Sequence, residues 1–233
     1  MLGHMRVLDH YIRRFLILLT NVVAPADPDI TTIEQMDPAD FLKNVGTKTY
    51  EQNGIVSLFP YRSPLAKTAL IELKTHPNRR VADLLGKILF DALAGMAVDM
   101  TTDRDTAPVP RDPALRPLVL PTAITRKKRR ERGWNQCDLM ADGLSQADTE
   151  KRFEIRKDIL IKTKDTADQV GKDRAERFAN VRGTFAVSDP KIVKNRIVVV
   201  FDDIVTTGAT LDEARRALQD VGAANVILVA FGR

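Results

Sequence analysis

Cysteine is nearly missing from this chain: among 233 residues only Cys137 is one. A lone cysteine builds no internal disulfide and no cysteine-rich zinc module. Histidine is scarce as well. His4, His10 and His76 have no metal-ligand spacing among them, which argues against zinc chemistry and against a Ser-His-Asp triad. No zinc is expected. Aromatic residues make up 6%, few for a surface that stacks single-stranded bases. The apolar run Phe15-Leu16-Ile17-Leu18-Leu19 follows Arg13-Arg14 and precedes Ala24-Pro25-Ala26, in imitation of a secretory leader. It is interrupted by Thr20 and Asn21 and is far too short to span a bilayer. It reads as part of an amphipathic helix packed on the body of a cytoplasmic protein.

What is present suits a folded chain. Hydrophobic residues are 44%, enough for the core of one or two domains. The net charge is +5, a balance that fits a phosphate-bearing partner, either a small molecule or a nucleic acid. Helical spacing of Val7, Tyr11, Phe15, Leu18, Leu19 and Val22 predicts a helix over 5–24. Residues 25–50, with Pro25, Pro28 and Pro38, read as an irregular linker with one helical turn. The first 53 residues are thus expected to form an N-terminal helix and irregular extension, and 54–233 the main domain. Within that domain, strands are predicted at 54–61, 118–120, 159–163, 184–187, 197–201 and 226–230. Helices are predicted from Ser63-Pro64, over 78–97, over 135–147 as a basic helix, and over 210–221. The continuous apolar run 197–201 marks a strand buried on both faces of a parallel sheet. Strand, helix and strand from 197 to 230 make a βαβ unit, so the fold class is α/β.

The most informative segment is Asp202-Asp203-Ile204-Val205-Thr206-Thr207-Gly208-Ala209-Thr210. An apolar strand delivers the chain to two acidic residues, and a small-residue turn then opens a helix. A helix N-terminus offers unpaired N–H groups and a positive dipole end, which suit a phosphate monoester. Gly208 lets the backbone approach the phosphate. Thr206, Thr207 and Thr210 add hydroxyl donors. The carboxylates of Asp202 and Asp203 would repel a phosphate, so they face something else. Vicinal hydroxyls are their natural partner, because an ionised Asp only accepts. Phosphate on one side and a diol on the other describe ribose 5-phosphate. A helix cap alone needs one such residue, not five polar residues and a glycine within nine positions. Neither G-x-x-x-x-G-K-[ST] nor G-x-G-x-x-G occurs, so ATPase and dinucleotide-binding readings lack support.

At this loop the sequence resembles the type I phosphoribosyltransferases, which bind 5-phosphoribosyl 1-pyrophosphate (PRPP). Arg132-Gly133-Trp134-Asn135-Gln136 resembles the R-G-F-N-Q motif of the ComF family of competence-associated phosphoribosyltransferase-like proteins. Thr166, Gln169, Val170, Gly171, Arg174, Arg177, Asn180, Gly183 and Phe185 are similar to that family's second motif, and Lys74 to its upstream lysine. Together these cover about residues 55–233. The resemblance implies a parallel sheet flanked by helices, with Asp202 and Asp203 as the catalytic pair. It also implies PRPP contacts from Thr206, Thr207, Gly208, Ala209, Thr210, Pro121, Thr122, Arg132 and Lys74, and Mg²⁺ carried with PRPP. Many members begin with a cysteine-rich zinc module; this chain has no cysteine before position 137.

Two basic segments remain. Arg126-Lys127-Lys128-Arg129-Arg130-Glu131-Arg132 stands where relatives cradle pyrophosphate, which Arg or Lys can neutralise. It also fits a solvated charged face or contact with DNA phosphates. Residues 164–182 resemble in place the loop that closes over PRPP, with Gln169, Arg174 and Arg177 as lid residues. Trp134 reads as a core anchor and Cys137 as a buried small residue. Two functions follow from the resemblance. One is phosphoribosyl transfer with release of pyrophosphate to an unidentified acceptor. The other is a non-catalytic, PRPP-binding accessory role in DNA uptake, with single-stranded DNA as a possible second partner.

Overall fold

The computed structural model describes residues 28–46, 49–100, 116–164 and 180–233. The helix expected over 5–24 lies outside them. The irregular linker expected over 25–50 is instead largely ordered as two helices, α1 (Pro28–Gln35) and α2 (Pro38–Val45). Pro28 and Pro38, which suggested a loop, start helices here. Pro38 occupies the first turn of α2, where its missing N–H is no loss, and Asp37 Oδ1 accepts from Asp40 N at 2.8 Å. Ile30, Ile33, Phe41 and Val45 bury in a cluster shared with later helices. A hairpin follows, β1 (Tyr50–Gln52) and β2 (Ile55–Phe59). Asn53 and Gly54 join them with positive φ of 56° and 68°, the turn that matches strand twist.

Next come α3 (Pro64–Thr75), α4 (Arg79–Met100), β3 (Leu118–Pro121), α5 (Arg126–Arg132) and α6 (Gln136–Ala147). Ser63 stands at the head of α3 but makes no side-chain cap bond; Pro64 opens the helix. The helix expected over 135–147 is found as α6, but it is not basic: the charge lies in the separate helix α5 before it. Gly133, at φ 92° in the left-handed region, ends α5, which carries the charge. Asn135 caps α6, which has no basic residue in its last turn. The chain continues through β4 (Glu154–Ile155), β5 (Leu160–Lys162), β6 (Phe185–Val187), α7 (Pro190–Val193), β7 (Ile197–Ile204), α8 (Ala209–Asp220) and β8 (Asn225–Gly232).

Among the described residues six strands form one sheet, in the order β1-β2-β8-β7-β3-β4. All neighbours are parallel except β1 with β2. β5 and β6 pair antiparallel beside it. The expected α/β fold, a parallel sheet flanked by helices with a helical N-terminal part, is the one observed. Alternate residues of each central strand serve opposite faces. Val119, Val199, Phe201, Val229 and Phe231 face α1–α4 and α6. Leu118, Leu120, Val198, Val200, Leu228 and Ala230 face α8 and the β5–β6 pair. Both faces are covered, which is why these strands read as unbroken apolar runs. Phe41, Phe59, Phe231 and Phe201 form a chain of two edge-on contacts and one tilted contact, with centroids 5.7, 6.1 and 6.2 Å apart, a favourable arrangement of rings.

The close approach of α4 to α6 depends on two glycines. A Cβ on Gly86 would lie 2.6 Å from the Met140 carbonyl oxygen, and one on Gly143 2.7 Å from that of Ala82. The close fit holds α6, and with it the residues at its head, against the scaffold.

Candidate functional site

The strand order locates the site. From β3 the chain passes outward to β4, and from β7 it passes the other way to β8. Right-handed crossovers therefore set α6 and α8 on opposite faces, and a crevice opens between the carboxyl ends of β3 and β7. Two side chains meet there across the strand pair: Thr122 Oγ1 donates to Asp202 Oδ1 at 2.7 Å. Phe201 O, beneath them, accepts from Thr122 N at 2.9 Å.

Asp202 and Asp203 end β7 and are half-buried, but they face different surroundings. Asp202 Oδ1 accepts from Thr122, from Asp203 N at 3.0 Å and from Cys137 Sγ at 3.6 Å. None of these donors carries a charge. Burial, and then the neighbouring Asp203 charge, push the Asp202 pKa up to about 7. Burial, with Asp202 and Asp203, likewise pushes the Cys137 thiol well above its ordinary value, so it is not a ready nucleophile. Asp203 Oδ1 accepts from Ile204 N at 2.8 Å, and its Oδ2 from Gln136 Nε2 at 3.0 Å. Gln136 Oε1 in turn accepts from Arg132 Nη1 at 2.6 Å. Ligating atoms of Cys137, Asp202 and Asp203 lie within 4.8 Å of one another, the one such group among the described residues. The two carboxylates suit a hard cation; the thiol does not.

The turn after β7 is made differently. Gly208 has φ 86°, and a Cβ there would meet Ile55 Cδ1 at 2.7 Å. Glycine satisfies both limits at once. Thr207 Oγ1 accepts from Ala209 N at 3.4 Å, and α8 starts at Ala209. Thr206 is exposed and Thr210 half-buried. Asp202 and residues 204–211 line a small polar concavity into which the first N–H groups of α8 open.

The other expected residues scatter. Pro121 ends β3, and Thr122 is buried with its hydroxyl turned to Asp202. Arg132 is half-buried on the Gln136 side. Lys74 is exposed near the end of α3 and makes no hydrogen bond or ion pair among the described residues. Its neighbour Leu73 accepts from Trp134 Nε1 at 2.9 Å, so Trp134 does anchor the motif to the scaffold. Arg129 is bound to Asp138. Arg126, Lys127, Lys128 and Arg130 are exposed. Gln169, Arg174 and Arg177 lie outside the described residues. Past them, Gly183 N donates to Glu213 Oε1 at 2.7 Å, which ties the returning chain to α8.

Residues 140–232 match the family model of the phosphoribosyl transferase domain. Competence protein F of Haemophilus influenzae is 31% identical over 119 residues, 49% of this chain and 49% of that protein. By these matches the chain is similar to phosphoribosyltransferase-like competence proteins. It spans about half the length of that relative. DNA utilization protein YhgH of Escherichia coli K12 is 27% identical over 172 residues, 74% of this chain and 68% of that one. Among solved structures, hypoxanthine phosphoribosyltransferase from Trypanosoma cruzi is 13% identical, with a TM-score of 0.36, covering 65% of this chain and 64% of that one. The Leishmania donovani hypoxanthine-guanine enzyme is 14% identical, with a TM-score of 0.34, over 65% and 71%.

Three side chains beyond the expected site set touch the acidic pair or its supports: Asn135, Gln136 and Cys137. Asn135 Nδ2 donates to Thr122 O and Asp138 Oδ1, both at 2.9 Å, and its Oδ1 accepts from Cys137 N at 3.2 Å. One amide thereby caps α6 and ties it to the end of β3. The available signal was the motif itself: Asn-Gln ahead of an apolar helix is a start signature, but its link to Asp203 needs the strand order.

Proposed function

We propose that this chain binds PRPP at the turn from Asp202 to Thr210 and transfers its phosphoribosyl group to an acceptor, releasing pyrophosphate. The observation that supports it most is the juxtaposition at one crevice of two polar devices. A carboxylate pair ends a central parallel strand, and a glycine-shaped turn opens a helix N-terminus a few residues on. The first accepts hydrogen bonds from a ribose diol, and the second donates them to a 5-phosphate.

The chain's part in such a transfer is placement. The bond from ribose C1 to the pyrophosphate oxygen breaks, its electron pair leaves with pyrophosphate, and the acceptor's lone pair forms the new bond at C1. Charge grows on the sugar ring and on the leaving group. Asp203, held at both oxygens, fixes the diol, while the α8 turn fixes the phosphate. Arg132, on the β3 side, faces the departing anion. Mg²⁺ carried on the donor would be compatible with the two carboxylates and would supply neutralisation of the pyrophosphate charge. No strong base is needed; orientation carries the rate. Titration calorimetry with PRPP and Mg²⁺, followed by a screen of nucleobases for pyrophosphate release, tests the proposal. Absence of PRPP binding would end it.

A non-catalytic role in DNA uptake has its own support. The exposed cations of α5 point outward in one short helix next to the crevice, a distribution that suits a polyanion. PRPP binding without pyrophosphate release, together with salt-sensitive binding of an oligonucleotide, would favour it.

A further inference from the structure

Gln136 lies between the two charged groups that the phosphoribosyl reading calls on, and it carries no charge itself. It is 7% exposed. Its Oε1 accepts from Arg132 Nη1 at 2.6 Å and its Nε2 donates to Asp203 Oδ2 at 3.0 Å. A guanidinium only donates and a carboxylate only accepts, so these partners dictate the orientation of the amide. No other neutral side chain of that length offers an acceptor and a donor from one rigid plane.

The amide does something that direct contact would undo. If Arg132 and Asp203 touched, they would form an ion pair and weaken each other's field where a ligand arrives. With an amide between them, both are fixed and neither is neutralised. Arg132 keeps its other N–H groups. Asp203 is steadied at its second oxygen by Ile204 N at 2.8 Å. The amide itself sits on a firm support. Gln136 is the first residue of α6, whose cap Asn135 is bound to Thr122 O. Side chains on capped elements hold geometry better than side chains on free loops.

We propose that Gln136 is a positioning residue that joins Arg132 and Asp203 into one recognition unit, so that the leaving-anion side and the diol side of a phosphoribosyl donor are set together. The inference rests on the phosphoribosyl reading above. It separates Gln136 from a residue that merely stabilises the start of α6: such a residue alters melting temperature, whereas a positioning residue alters affinity through its two partners.

The experiment measures binding of PRPP with Mg²⁺, and of ribose 5-phosphate, by titration calorimetry, with a thermal melt of every variant. Gln136→Leu removes both bonds and is expected to weaken PRPP about tenfold. Ribose 5-phosphate, which lacks the pyrophosphate, is expected to weaken less. Gln136→Glu still accepts from Arg132 but sets a second carboxylate against Asp203; it is expected to bind PRPP more weakly than Gln136→Leu. The double variant Gln136→Leu/Asp203→Asn should bind PRPP no more weakly than the worse single variant, since one unit is broken only once. Losses that multiply, or Gln136→Leu affinities equal to wild type, would overturn the proposal. If Gln136→Leu does not fold, the near-isosteric Gln136→Glu decides: unchanged PRPP affinity in it likewise overturns the unit. Wild-type protein that binds neither ligand would reject the phosphoribosyl reading itself, an outcome distinct from failure of the unit.

Discussion

Two acidic side chains stand eleven positions apart, one on either side of the same turn, and the fold treats them in opposite ways. Glu213, on α8, is 6% exposed and fully provided for. Arg216 donates from Nη2 at 2.7 Å and from Nε at 2.9 Å, and Gly183 N adds a third bond. The Arg216 hydrogen bond holds its carboxyl below the usual range. Asp202, at the end of β7, receives neutral donors and the proximity of a second carboxylate, and its pKa rises to about 7. Glu213 is neutralised as part of the scaffold. Asp202 is left with an uncompensated tendency to take up a proton or a cation, which is what a site needs and a scaffold avoids.

That contrast can be broken at either end. The largest effect is expected for Glu213→Ala, which leaves Gly183 N without its acceptor and Arg216 with only Asp220. It should cost about 2–3 kcal/mol of stability, the partial exposure of Arg216 keeping it below the range for fully buried pairs. Urea unfolding measures it, and a loss under about 0.5 kcal/mol would mean the pairing is cosmetic.

Asp202→Asn should do the reverse. The Asp202 pKa lies above the 3.8 of an ordinary Asp. Between about pH 4 and pH 7 the native protein therefore holds a proton that the unfolded chain has lost. Stability from this group is complete below pH 4 and falls as pH rises to 7. The amide variant escapes that fall. It should be more stable than wild type by about 2 kcal/mol at pH 8 in metal-free buffer, with the gain vanishing near pH 4. A gain independent of pH, or a loss, would remove the buried charge from the account. For Glu213 the sign is opposite: its contribution is present above the ordinary 4.5 and is lost as pH falls through the lower native value.

Asp203→Asn tests the ligand side. It should weaken PRPP by about 1–2 kcal/mol with little change in melting temperature. Unchanged affinity would remove the diol assignment. The smallest effect is expected for Thr207→Ala, about 0.5 kcal/mol in PRPP binding, because backbone N–H groups carry most of the phosphate contact. A larger loss in calorimetry would move the anchor of the phosphate from the helix end to the hydroxyl.

The sequence announces some of this and conceals the rest, for reasons visible at particular residues. β7, α8 and β8 are legible because a continuous apolar run, a 3.6-residue period and a second apolar run stand side by side, and the acidic pair and Gly208 lie within that local window. The bond from Thr122 to Asp202 spans 80 positions and exists only because β3 lies next to β7. The Gln136 link to Asp203 has the same origin. The N-terminal helices are hidden by composition: Pro28 and Pro38 read as breakers, although proline also opens helices. β1 left a usable trace in Asn53-Gly54, a hairpin signature.

The place of β8 in the sheet governs how the sheet is assembled. β2 joins the rest of the parallel array only through β8, in a register that sets Ile55 beside Leu228, so its partner is made about 170 residues later. Until then the β1–β2 hairpin has an open edge of apolar residues, and the crevice lacks the central strand that braces β7. A growing chain therefore completes both its core and its crevice in one late step, when β8 slides between two strands already waiting for it. Closing so long a loop is slow. Through that interval the open edge of β2 is the segment most in need of shielding from other chains.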